Sequence, residues 1–213
     1  MSVKSSRSYR GMSMEKRRAQ RRTQLIAAAK QAFGEYGYQA TTVKQICREA
    51  ELTERYFYES FENLNALFGV TYDQELDRLR ETLTLAIASS TTDVEAMARS
   101  GMQAYYGFLK QDPHAARILL IEIYGTTHDM IRLYRRGVQD FAGLIRGIIE
   151  LQYPQAQPLV LDPGLLATAL VGAAIQLAMR WYLGGYEESE ESMVDNTVAI
   201  ITALSDKLTQ TPA

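Results

Sequence analysis

Between Thr42 and Phe61 the chain places two short amphipathic segments on either side of a two-residue break. Thr42-Val-Lys-Gln45 has the spacing of a capping box, in which a Thr side chain takes up an early helix N–H and a Gln reaches back. It opens a helix to about Ala50, with Val43, Ile46 and Ala50 facing inward. Glu51-Leu52 breaks that helix. Thr53 then caps another, from Glu54 to about Ser60, with Phe57 and Phe61 one turn apart and packing inward. Two helices joined by so little chain must cross sharply. The stretch before them, Met14 to Tyr36, puts Leu25, Ala29, Ala32, Phe33 and Tyr36 on one face, and Gly37 stands where a helix end favours a left-handed residue. Helix, helix, tight turn, helix is a helix-turn-helix layout.

Downstream the helical period continues. Leu64, Phe68, Tyr72, Leu76, Leu79, Leu83 and Ile87 predict a long helix from Asn63 to about Ser89. Further helices follow over Val94–Gln111, from Pro113 to about Tyr124, and over Asp129–Leu151. Gly125-Thr-Thr reads as a break, and Tyr153 to Pro163 as a loop. Gly164–Leu183 is an apolar helix ended by Gly184-Gly185, and a last helix carries Val194, Val198, Ile201, Leu204 and Leu208. No strand alternation or repeat is present. The expectation is an all-α chain with three parts. These are a flexible basic arm over 1–13 (or sequence upstream of a start at Met12 or Met14), a helix-turn-helix domain over 14–62, and a helical ligand-binding and dimerisation domain over 63–213.

Charge divides the same way. Residues 1–60 carry 12 Lys/Arg against 6 Asp/Glu, the rest 11 against 19, although the whole is only −2. A basic front on an acidic body points to a polyanion partner for the front alone. On charge alone, basic residues that merely solvate a helix face remain an alternative. One cysteine, Cys47, excludes an internal disulfide, and with His114 and His128 it makes no usual zinc set, so neither metal nor cofactor is expected. Cys47 reads as a small core residue. No catalytic set, phosphate loop or signal peptide stands out, so the chain is expected to be a non-enzymatic cytoplasmic protein. The longest apolar run, Gly164–Met179, falls short of the roughly 20 residues of a membrane span. It reads as a buried or interface helix. With the last helix it could meet its two-fold copy in a four-helix homodimer interface. The alternative is that both are ordinary core helices.

The run from Thr41 to Leu67 resembles the DNA-binding signature of the TetR family of regulators. The matching residues are Thr41-Thr-Val43, Ile46, Ala50, Leu52-Thr53, Tyr58, Phe61 and Ala66-Leu67. The basic helix leading into Phe33…Tyr36-Gly37 is similar to the family's first helix. The turn residue is usually Gly in that family and is Glu51 here; Leu64 stands where Lys is common. The resemblance implies a sequence-specific transcription regulator, a repressor released by a small-molecule effector. An activator, or an interaction module with weak DNA binding, is the alternative.

On that reading the third helix enters the major groove. Thr53, Glu54, Arg55 and Tyr56 face the bases, and Arg55 is suited to the two acceptors of guanine. Thr42, Lys44 and Tyr58 would hold phosphates, and Arg17 and Arg21, beside Arg18 and Arg22, would reach flanking ones. A two-fold dimer implies a roughly palindromic double-stranded operator. Tyr105, Phe108, Leu119, Glu122, Ile123, Tyr134, Phe141, Gln176 and Met179 are the expected effector lining. They suit an apolar molecule, and one carboxylate among aromatics would also suit a cation.

Overall fold

The computed structural model of the chain describes residues 14–91, 93–124, 128–152 and 162–209, with side chains as far as Ser205. The described residues form nine α-helices: α1 (Met14–Tyr36), α2 (Val43–Glu49), α3 (Glu54–Tyr58), α4 (Leu64–Ala88), α5 (Val94–Gln111), α6 (Pro113–Leu120), α7 (His128–Gln152), α8 (Pro163–Leu183) and α9 (Glu190–Thr209). A 3-10 turn, Glu122–Tyr124, follows α6, where the sequence pattern suggested one continuous helix. The arm over 1–13, the Gly125-Thr-Thr break and the loop from Tyr153 lie outside the described residues. Pro163, expected in that loop, instead fills the first turn of α8, where a missing N–H costs nothing, and Asp162 caps the helix.

The small helices are fixed by their ends. Thr42 accepts from Gln45 N–H at 3.2 Å, but the Gln45 side chain turns to Glu49, so only half of the capping box forms. Glu51 sits at φ 55, the left-handed region. Its N–H bonds the Arg48 carbonyl at 3.2 Å, and Leu52 N–H bonds the Cys47 carbonyl at 2.9 Å, which together make a Schellman closure. Glutamate therefore adopts the conformation glycine would take more cheaply. α3 is shorter than its pattern suggests, and Thr53 occupies the cap position without a side-chain cap bond. α1 ends at Gly37, φ 84, whose N–H returns to the Phe33 carbonyl.

Leu25, Ala29, Ala32 and Phe33 of α1, Ile46 of α2, Phe57 of α3 and Leu67 and Phe68 of α4 close one core with no exposed surface. Phe68 meets Phe33 and Tyr38 edge to face at 5.3 and 5.2 Å, and Phe33 and Tyr38 lie tilted at 5.7 Å. That core continues without a gap through Tyr72, Leu76 and Leu79 into the body. There α9 packs along α5 through Met193, Val194 and Val198, and α7 packs along α8. α9 is thus chiefly a core helix. α8 is not: Leu165 and Leu183 are exposed, as are Ala169 and Gly172 between them. At 21 residues α8 is also long and apolar enough to cross a membrane, more than the shorter apolar run implied.

Head and body are joined by the crossing of α1 on α6. Gly34 lies against His114 so closely that an added Cβ would fall 2.7 Å from the His114 Cα. Beside this crossing Lys30 bonds Glu75 (3.1 Å) and Asp112 (2.5 Å), and Arg78 bonds the same two carboxylates. Asp112 also caps α6 through Ala115 N–H. Burial alone would push the Asp112 carboxyl up. Hydrogen bonds from Lys30, Ala115 N–H and Arg78 outweigh it and hold the group below the usual carboxylate range.

Two outcomes follow from this joint. A side chain at position 34 gains at most about 1 kcal/mol of helix propensity over Gly, against about 1–3 kcal/mol for overpacking. Gly34→Val therefore lowers the urea midpoint while Gln31→Ala, on the exposed face, leaves it within error. For Asp112 the depressed carboxyl contributes stability that is complete above the unfolded value of about 3.9 and is lost as pH falls through its lower folded value. Asp112→Asn keeps a capping residue but removes the charge. Urea titrations should show the variant less stable at neutral pH, with the gap to the wild type closing in acid.

Candidate nucleic-acid interface and effector cavity

The open face of the head carries α3 and the start of α2. Thr42, Lys44, Thr53, Glu54, Arg55 and Tyr58 are all exposed there. The Arg55 side chain is 84% exposed, and its Nε donates to Glu59 at 3.1 Å. Such a surface pair is worth less than about 1 kcal/mol and yields readily to a better partner. Glu59, an outward residue at the end of the third helix, is a hub: Arg21 approaches its carboxylate at 3.6 Å and Arg18 donates to its backbone carbonyl at 2.7 Å. Tyr56 is half-buried beneath the Arg21 guanidinium, 4.2 Å from its ring centre, so it braces α1 against α3. Arg22 lies over Phe61 in the same way, at 4.8 Å. Arg17 stands exposed on α1. Cys47 is buried beneath this face, and burial pushes its thiol up, which suits packing rather than reactivity.

The body encloses a cavity of about 380 Å³ between α4, α5, α6, α7, α8 and α9. Of the residues expected to line an effector site, Tyr105, Leu119, Tyr134 and Phe141 stand in its wall. The other five do not. Phe108 points away, under the Arg78 guanidinium at 5.4 Å. Ile123 is buried in the core, Gln176 is exposed on α8, and Met179 is half-buried two residues before Trp181. Glu122 is held outside the cavity: Arg117 Nε donates to one of its oxygens at 2.8 Å and Tyr38 N–H to the other at 2.8 Å. The carboxylate that suggested a cationic effector is therefore neutralised. Most of the rest of the wall is aliphatic, including Leu76, Leu79 and Leu83 of α4 and Val171 and Ile175 of α8, and no wall residue is charged. The periodic stripes showed these residues turned inward, but nothing in a stripe reports whether the space between stripes is filled.

The polar groups in the wall are hydroxyls. Burial pushes the Tyr72 and Tyr105 phenols up, so both stay protonated and can only donate or accept neutral hydrogen bonds. Thr197 is already satisfied, by Tyr106 Oη at 2.7 Å and the Met193 carbonyl at 2.8 Å.

Two helices touch both head and cavity. α4 contributes Leu67 and Phe68 to the head core and Tyr72 to Ile87 to the cavity wall. α6 places Leu119 and Leu120 in the wall, and just beyond it the Arg117–Glu122 pair clamps the turn between α1 and α2. Arg117 donates to the Glu35 carbonyl at 2.9 Å, and Gly37 leaves no room for a Cβ beneath this pair.

Known proteins share this arrangement. Residues 25–70 match the bacterial regulatory proteins of the TetR family. The HTH-type transcriptional activator FasR of Mycolicibacterium smegmatis is 22% identical over 185 residues, 85% of this chain and 81% of its own. The fatty acid degradation regulator FadR of Bacillus halodurans superposes with a TM-score of 0.74 at 16% identity, over 85% of this chain and 94% of its own. FadR of Bacillus subtilis in complex with stearoyl-CoA gives 0.73 at 15%, over 84% and 96%. The structural likeness carries the fold, and the signature over 25–70 falls on the helices that build the reading face. Residues 25–70 thus carry the helix-turn-helix segment of the TetR family of bacterial regulatory proteins, on a chain similar to an HTH-type regulator over most of its length.

Proposed function

We propose that the chain is a homodimeric repressor whose grip on a roughly palindromic operator is released by a molecule with a long acyl chain seated in the central cavity. The observation that carries this reading is the cavity wall: about 380 Å³ enclosed by aliphatic and aromatic side chains with no charge. Such a site favours length and apolar surface over charge. The B. subtilis FadR complex with stearoyl-CoA, on the same fold, points to the same class of ligand. A ligand that needs more room around Leu119 and Leu120 would move α6, and with it the clamp on the α1–α2 turn. Only a ligand with different affinity for the two head positions can shift the equilibrium between them. The activator FasR supports a second reading, in which the same coupling promotes transcription from a different operator position.

On DNA, Arg55 exchanges Glu59 for a base edge, with Thr53, Glu54 and Tyr56 beside it. Thr42, Lys44 and Tyr58 hold phosphates, and Arg17 and Arg21 flank them. The dimer forms through the apolar face of α8, where Leu165, Ala169, Gly172 and Leu183 are exposed.

Selection of sites from a random duplex library should return an inverted repeat, with affinity falling steeply as salt rises. On that operator Arg55→Ala costs about 1–3 kcal/mol and relaxes preference at one position in each half-site. Lys44→Ala weakens all sequences alike and lowers the salt slope by about 1 per protomer. Long-chain acyl-CoA should release the DNA; a complex indifferent to every acyl compound would sink the effector reading. For the dimer, Gly172 is informative because an added Cβ meets nothing within 4 Å in the protomer. Gly172→Arg should leave the melting curve cooperative, sediment as a monomer and lose the inverted repeat.

A further inference from the structure

A second, smaller cavity of about 130 Å³ adjoins the first, and the two share seven wall residues, among them Ile87, Gly101, Met102, Ile148 and Leu170. They lie end to end along the bundle. On α5 the main cavity is walled by Tyr105 and Gly101, and the smaller one continues through Met97 to Val94. That run of one helix face covers about 16 Å at 1.5 Å per residue. The other helices keep the same order: α7 passes from Tyr134 through Ile148 to Gln152, α9 from Thr197 through Ile201 to Ser205, and α8, running oppositely, from Ile175 through Leu170 to Leu166. The two spaces are compartments of one apolar passage.

Gly101 stands at their junction. It is buried, and an added Cβ would meet only the Ile87 side chain, at 3.3 and 3.4 Å. Helix α5 loses about 1 kcal/mol by having Gly there instead of Ala. A Cβ there would already press on Ile87, so a larger side chain would have to turn away from Ile87 into the space the two cavities share.

We propose that Gly101 is the chain-length determinant of this regulator: with no side chain there, the far end of a long acyl chain passes Ile87 from the main cavity into the smaller one. The inference rests on the acyl-chain reading above and adds the residue that sets the limit. Ligands short enough to end before Gly101 do not depend on it, whereas each methylene beyond it does. A buried methylene is worth about fourfold in affinity, from about 0.8 kcal/mol.

The test is a binding series, from octanoyl to stearoyl, of saturated fatty acids and their coenzyme A thioesters, titrated into the full-length wild type, Gly101→Leu, and Gly101→Leu/Ile87→Ala. Wild-type affinity should climb with chain length until the passage is full. Gly101→Leu should match it for the short members and then level off, losing at least tenfold for stearoyl. Ile87→Ala should restore much of that loss by vacating the space opposite. Leu166→Trp, which fills the far end of the smaller cavity from α8, should also shorten the plateau and keeps the test open if Gly101→Leu does not fold. A Gly101→Leu series that follows the wild type throughout, or that falls equally at every length, overturns the length determinant alone. A wild type that binds no member of the series overturns the acyl reading, and the determinant with it.

Discussion

Glu75 is a carboxylate with only 3% of its surface exposed, and it is ion-paired there with Lys30 and Arg78. A buried charge stripped of its partners costs several kcal/mol, so this group fixes where its partners must be. Lys30 belongs to α1 and Glu75 to α4, while Asp112, which shares both cations, begins α6. Three helices are thereby pinned at one point, next to the place where Gly34 lets α1 lie directly on α6. The basic head is held on the body at this point by α4 and α6 together.

This constraint makes a cavity distant from the DNA face relevant to it. α4 is a single helix with one end in the head core and its middle in the cavity wall. α6 is a short helix whose C-terminal end carries both Leu119 and Leu120 on the cavity and the Arg117–Glu122 clamp. Packed interiors transmit displacement because they do not compress. On the proposed reading, space taken up at Leu119 would move α6, and the clamp would carry that movement to the backbone of Glu35 and Tyr38 at the root of the reading helices.

Much of the head was legible from local chemistry. The Thr42 cap, the inward set Val43, Ile46 and Ala50, and the Phe57–Phe61 pair depend on residues a few positions apart, and each formed as the pattern implies. Glu51 was harder to judge, because side-chain identity disfavours the left-handed region it occupies; the two Schellman hydrogen bonds on either side supply the compensation. Thr53 kept its cap position but not its cap bond. In the body, helix faces were legible but partners were not. Phe108, Glu122 and Met179 share residue types with a ligand site, yet Arg78 draws Phe108 to the outer side of α5 and Arg117 takes Glu122 out of play. Those cations lie elsewhere in sequence, and no spacing rule connects them.

Sequence alone determined that the chain is helical throughout, that a helix-turn-helix stands at its front, and that this front is basic. These follow from periodicity, caps and charge, which act over one or two turns. Only the tertiary structure decided that α9 packs along α5, that α8 keeps an open apolar face, and that two adjoining cavities run past Gly101. Each is a matter of how much space remains when several helix faces converge. Periodicity states which way a side chain points, whereas a void is the difference between the volume that the helices enclose and the volume their side chains fill, and no single helix contains that information.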